Sequence, residues 1–243
     1  MNKSLLLISS SRPNRQAPYF SHAREWMEKI LAGKNQLLFI PYAAPGGISH
    51  ANYTQNIAKA FAENGLPQKV VGIESFHDPI SAIQQAEAVF TGGGNTFLLL
   101  KTMYDKGLMK PLKDRIEAGM PYLGSSAGSN LAGQTINNSN DMPIIFPPSF
   151  DALGVIPFNI NPHHPRKESE QHSGETRRER IQEYLALPQK VTPVISMYES
   201  SMLVMQNGKL TLEGIPHPED PGAWLFEQGK EAVAIQPGEE LEF

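Results

Sequence analysis

The chain has 243 residues, no cysteine, 20 glycines, 20 prolines and a formal net charge of −4 from 21 basic and 25 acidic side chains. Without cysteine there is no disulfide framework, thiolate zinc site, iron–sulfur cluster or thiol nucleophile, and mild acidity argues against nucleic-acid or anionic-membrane partners, which need a concentrated basic face. A chain of this length buries roughly 70% of the surface its unfolded form exposes, so a compact cytoplasmic enzyme or small-molecule binder is expected, with one domain over residues 1–243.

The first apolar run, Leu5-Leu6-Leu7-Ile8, is too short for a signal peptide or a membrane span and reads as a buried strand within residues 4–9. Further short apolar runs at 36–40, 69–73, 88–91 and 121–124 have the continuous hydrophobicity of strands buried on both faces. Between them, helices are expected at 51–64, with Ile57, Ala60 and Phe61 on one face and Gly65 as its stop, at 79–86, and at 96–106 before Gly107. This alternation predicts an α/β fold whose mostly parallel sheet is flanked by helices on both faces.

The second half changes character. Residues 137–164 are rich in Pro, Asn and His and read as loops around a short strand at 155–160; a polar helix follows at 175–187. Strands are then expected at 191–197, 201–205, 209–212, 223–226 and 232–235, and Asn207-Gly208 is a strong hairpin signal between two of them. These form a small antiparallel flank.

The sharpest chemical feature is Gly124-Ser125-Ser126-Ala127-Gly128, between a strand and a helix. It has the composition of a nucleophile elbow, where the turn leaves no room for side chains beside the nucleophile. Read as Gly-x-Ser-x-Gly, it makes Ser126 the nucleophile and points the Ala127 N–H at a developing oxyanion. A plain glycine-rich turn with capping serines has the same composition. A second cluster, Thr91-Gly92-Gly93-Gly94-Asn95-Thr96, also follows a strand and opens a helix. It has neither the Gly-Lys-Ser/Thr of a Walker loop nor dinucleotide spacing. Gly93 and Gly94 are therefore candidates to share an oxyanion hole with Ala127, because the ends of parallel strands converge on one sheet edge.

A serine nucleophile needs a base and the base needs an orienting acceptor. His163 and His164 follow the 155–160 run; no third ligand at a recognisable spacing makes them a metal site. His172, just before Gly174-Glu175-Thr176-Arg177, is harder to dismiss than the four remaining histidines. Asp141, in a polar loop, and Glu199, at a strand end, compete to hold the imidazole.

The ordered blocks 39–42, 89–97, 124–131, 135–143, 160–163 and 174–177, with Ile181, resemble the peptidase E family of α-aspartyl dipeptidases over nearly the whole chain. Its wider family includes cyanophycinase. The resemblance implies a fold like the class I glutamine amidotransferases, with serine in place of their elbow cysteine, no cofactor or metal, and small peptides with an N-terminal aspartate as substrates; a homodimer is compatible with it. It implies Ser126 as nucleophile and His163, not His164, as base. Asp141 ranks first as the acid, with Glu199 open because a strand-end carboxylate is held more rigidly. Arg177 is the implied partner of the aspartyl carboxylate, since a planar bidentate donor matches it well, and Asn95 is a second implied substrate contact. Ser125 stands where relatives carry a bulky aromatic, which opens space beside the nucleophile.

Three other functions share these residues: a cyanophycinase-like β-aspartyl peptidase, an α/β-hydrolase carboxylesterase, and a non-catalytic binding module of the same fold. Too little chain separates Ser126 from His163 for the later strands and helices of the esterase fold.

Overall fold

A computed structural model describes residues 3–166 and 174–242. Its larger sheet is eight-stranded, in the order β12-β9-β8-β1-β5-β4-β2-β3. Strands β1 (Leu5–Ile8), β2 (Gln36–Ile40), β3 (Lys69–Gly72), β4 (Val89–Thr91) and β5 (Tyr122–Ser125) run parallel. β8 (Ser201–Gln206), β9 (Lys209–Gly214) and β12 (Glu240–Leu241) add antiparallel strands beside β1.

The apolar runs form strands because both sheet faces are buried. In β1, Leu5 and Leu7 belong to one core cluster while Leu6 and Ile8 belong to another, and β2 alternates likewise. One face is covered by α1 (Arg24–Ile30) and α2 (His50–Glu63), through residues such as Met27, Ile57 and Phe61. The other is covered by α3 (Pro79–Gln85), α4 (Thr96–Asp105) and α5 (Met109–Glu117), through Ile83, Leu100 and Leu112. The short α6 (Ala127–Asn130) begins at the end of β5.

The antiparallel flank expected from the sequence divides between two sheets. A separate four-stranded sheet has the order β11-β10-β7-β6, from β6 (Asn159–His164), β7 (Val194–Tyr198), β10 (Ala223–Phe226) and β11 (Val233–Ile235). Its Ile160, Ile195 and Met197 join the same core cluster as Leu5 and Leu7. The strand expected at 155–160 begins later and continues through His164, so both adjacent histidines are strand residues rather than loop residues. Parallel pairing with β7, Asn159 opposite Val194 and Ile160 opposite Ile195, overrides the polar composition of this segment.

Helices α1 and α5 escape the sequence reading because neither has a side-chain cap at its N-terminus. Pro111 lies in the first turn of α5, where no intrahelical N–H is lost. α7 (Arg177–Leu185), by contrast, starts with a capping box between Thr176 and Glu179. The β8–β9 hairpin turns on Asn207 and Gly208, both at positive φ (54° and 78°) as a tight type I′ connection demands.

Candidate active site

The C-terminal ends of β1, β2, β4 and β5 converge on one edge of the larger sheet, the usual place for a site in an open parallel sheet. A cavity of about 300 Å³ lies there, lined by residues that include Ser11, Arg12, Gly93, Ser126, His163 and Glu199.

Ser126 occupies the turn from β5 into α6 with φ 52° and ψ −110°. An L residue avoids this region, and holding one there costs about 1–3 kcal/mol. Packing enforces the turn: a Cβ on Gly128 would run into the Thr91 carbonyl of β4, and one on Gly124 would stand 2.5 Å from the Gly128 oxygen. The two glycines therefore let the elbow close against its neighbouring strand. Ser125 points elsewhere; it is fully buried, with its hydroxyl 2.9 Å from that of Ser11.

His163 comes from β6, where the pairing with β7 shifts register between Asn161 and His164. It too has a left-handed backbone, φ 59°. Its Nε2 lies 2.8 Å from Ser126 Oγ, and its Nδ1 lies 3.3 Å from Glu199 Oε1. With Nδ1–H donating to Glu199, Nε2 is the acceptor for the serine hydroxyl. Glu199 sits in the turn where the chain leaves β7 for β8 and so passes from one sheet to the other. Pairing of His164 with Tyr198 brings the ends of β6 and β7 side by side, and with them His163 and Glu199. The hydrogen bond from His163 is the main cause holding the Glu199 carboxyl below the usual carboxylate range, with the charges of His163 and Arg15 adding to it against partial desolvation.

His164 has a different environment. It is buried against Ser196, Nδ1 to Oγ 2.8 Å, and burial pushes its ring down to about 4, helped by the charges of Arg177 and Arg178. His172 lies outside the described residues.

Asp141, ranked first on sequence as the acid beside His163, faces another element. Its Oδ2 accepts from the Thr96 N–H at 2.7 Å and from Thr96 Oγ1 at 2.5 Å, so its charge sits on the first turn of α4. Asn95, expected at the substrate, uses both ends of its amide within the protein: Oδ1 accepts from the Leu98 N–H and Nδ2 donates to the Met142 carbonyl. Arg177 donates Nη1 to Asn161 Oδ1 at 3.0 Å and to the carbonyls of Pro162 and His163 at 3.0 and 3.2 Å. Among the described residues lining the cavity, Asp141, Asn95 and Arg177 do not appear.

The glycine cluster lies against Ser126: a Cβ on Gly93 would stand 3.1 Å from Ser126 Cβ, and the Gly93 carbonyl accepts from the Tyr53 hydroxyl at 3.0 Å. Among the described residues, the N–H groups of Gly93, Gly94 and Ala127 have no hydrogen-bond partner. They are the donors available to an oxyanion formed beside Ser126.

Sequence reasoning missed the segment after β1. Ser9 Oγ accepts from the His163 N–H at 2.9 Å and donates to the Met197 carbonyl at 3.0 Å, and Ser10, Ser11, Arg12 and Arg15 line the cavity. The available signal was position alone: a polar run leaving a buried strand at the same sheet edge as the elbow.

The model of peptidase family S51 matches residues 5–213. The chain belongs to peptidase family S51. It is a serine-type peptidase, and the S51 match runs from β1 into β9, taking in every element that carries Ser126, His163 and Glu199. Peptidase E of Salmonella heidelberg is 40% identical over 236 residues, spanning 96% of this chain and 97% of that protein. Peptidase E of Shewanella baltica is 38% identical over 241 residues, 99% and 98% of the two chains. The crystal structure of a peptidase from an acI-B1 Actinobacterium covers 100% of this chain and 98% of its own, with a TM-score of 0.68 at 18% identity, a likeness of fold alone. Among the described residues, no helix of this S51 peptidase is long and apolar enough to cross a membrane.

Proposed function

We propose that this S51 peptidase is a dipeptidase that cleaves after an N-terminal aspartate, with Ser126 as nucleophile, His163 as general base and Glu199 as the acid that orients it. The observation that carries the proposal is the continuous hydrogen-bond chain from Ser126 Oγ through both nitrogens of His163 to Glu199, 2.8 Å and then 3.3 Å.

Ser126 Oγ attacks the peptide carbonyl carbon while its proton passes to His163 Nε2. The carbonyl oxygen becomes an oxyanion facing the N–H groups of Gly93, Gly94 and Ala127; loss of one such donor typically costs about 2.7–4 kcal/mol of barrier. Collapse of the intermediate breaks the C–N bond as His163 returns the proton to the leaving amine. Water then attacks the acyl-enzyme by the same route, with His163 again as base. Glu199 stays ionised throughout, fixes the imidazole tautomer and stabilises the imidazolium.

A cavity of about 300 Å³ suits a short peptide better than an extended chain. The preference for aspartate is carried over from the peptidase E resemblance. Asp141 in this mechanism organises the α4 terminus beside the glycine loop, and Arg177 holds the backbone of the strand that bears His163.

Replacement Ser126→Ala tests the assignment. Hydrolysis of α-Asp-Leu is expected to vanish while the melting temperature stays near that of the parent; turnover at the parental rate overturns the nucleophile. Assaying β-Asp-Arg alongside decides between α- and β-aspartyl cleavage.

A further inference from the structure

The cavity in front of Ser126 has a cationic wall. After β1 the chain runs Ser9-Ser10-Ser11-Arg12-Pro13-Asn14-Arg15, and both arginines line the cavity. The Arg12 guanidinium lies over the Tyr19 ring, Cζ 3.9 Å from its centroid, and Nη1 donates to the Arg15 carbonyl at 3.3 Å. These contacts hold the guanidinium without neutralising it. Among the described residues Arg12 has no ion-pair partner, and its Nε is buried with no hydrogen-bond acceptor.

Among the described residues the one acid lining the cavity is Glu199, and its carboxylate already accepts from His163. Among the described residues, two arginines against one engaged carboxylate leave positive charge beside Ser126. A peptide with an N-terminal aspartate brings two carboxylates to this place, the side chain and the C-terminus. The planar fork of arginine takes a carboxylate through paired N–H groups, and stacking on Tyr19 limits the rotamers lost on binding.

We propose that Arg12, held on Tyr19, is a specificity-determining residue that binds a carboxylate of the peptide substrate in the cavity facing Ser126. This rests on the dipeptidase function proposed above for the same site. It adds a binding group that is neither part of the hydrogen-bonded chain of Ser126, His163 and Glu199 nor the implied substrate residue Arg177.

The test compares the parent with Arg12→Leu and Arg12→Lys on Asp-Leu, Asn-Leu and Asp-Leu amide, after circular dichroism and melting show that the variants fold. Arg12→Leu is expected to raise KM for Asp-Leu about 10- to 100-fold, with Lys recovering part of the loss. If Arg12 reads the aspartyl side chain, the preference for Asp-Leu over Asn-Leu disappears in the Leu variant. If it reads the C-terminus, the preference for the free acid over the amide disappears instead. Unchanged KM and unchanged preferences in both comparisons overturn the proposal.

Should the parent hydrolyse none of these substrates, the dipeptidase function fails, and Arg12 is then decided by calorimetry with succinate. Binding to Ser126→Ala that weakens at least tenfold in the Ser126→Ala/Arg12→Leu double variant supports the carboxylate site. Equal affinity, or none in the single variant, overturns it.

Discussion

Ser126 and His163, whose side chains meet at 2.8 Å, both hold left-handed backbones, at φ 52° and φ 59°. Two such residues cost about 1–3 kcal/mol each, and they persist where the surroundings over-determine them. Here one strand end restrains both. The Ile8 carbonyl accepts from the Ser126 N–H at 3.0 Å, and Ser9 Oγ accepts from the His163 N–H at 2.9 Å. The end of β1 is thus a common anchor that sets Ser126 against His163.

Ser9→Ala removes the acceptor under His163 from a fully buried position. A stability loss of about 1–3 kcal/mol is expected, from the N–H left unsatisfied. The kinetic mark of positioning is a fall in kcat with KM for Asp-Leu little changed. A change in KM alone would mean that Ser9 acts on the substrate and not on the base.

Glu199 and Asp141 are separated by their partners, His163 and Thr96 respectively. Glu199→Gln is expected to lower kcat by about 10²–10⁴-fold at nearly unchanged stability, since an exposed pair adds little to folding. Asp141→Ala is expected to lower stability by about 1.5–3 kcal/mol, because a charged acceptor leaves the α4 terminus. Denaturant midpoints and kcat measured on both variants separate the roles; the reverse pattern would make Asp141 the orienting acid.

Arg177 braces Asn161, Pro162 and His163 through one guanidinium nitrogen. Arg177→Lys keeps the charge but not the reach of Nη1 to its three acceptors, so a bracing role predicts lower kcat and a lower melting temperature. If Arg177 grips the aspartyl carboxylate, KM rises for Asp-Leu and the Asp/Asn preference collapses while the melting temperature stays put. Steady-state kinetics on Asp-Leu and Asn-Leu with a thermal melt decide.

Burial lowers the rings of His22 and His164 from an ordinary 6.5 to about 4. Both folded rings then resist protonation that the unfolded chain accepts. Stability is therefore full above pH 6.5 and declines as pH falls toward about 4, where the effect levels off. The limiting slope is about 1.4 kcal/mol per pH unit for each histidine, so roughly 2 kcal/mol each between pH 6.5 and pH 5. Urea midpoints across this range measure the loss, and His164→Asn is expected to reduce the slope by one histidine's share. A flat profile in the parent would mean that neither ring is held neutral.

Much of the architecture was legible because it depends on local signals. Continuous apolar runs marked β1 to β5, whose two buried faces leave no polar alternation to read. Asn207-Gly208 marked its hairpin, since few residue pairs take positive φ twice. Helices α1 and α5 carried no cap and were silent, and β6 was displaced because Asn159, Asn161 and the two histidines have no strand character of their own. Their conformation comes from pairing with β7.

The amino-acid sequence by itself determined the tight turn at Ser126, the glycine cluster and the absence of a thiol. Each is a local property: small residues around Ser126 permit the tight turn, and a chain without cysteine needs a base beside its serine. Only the tertiary structure decided which carboxylate meets His163, that Asn95 and Asp141 serve the α4 terminus, and that Arg12 faces the cavity. Those relations join residues on different strands and in different sheets. They follow from strand pairing and from the convergence of strand ends, which no spacing along the chain encodes.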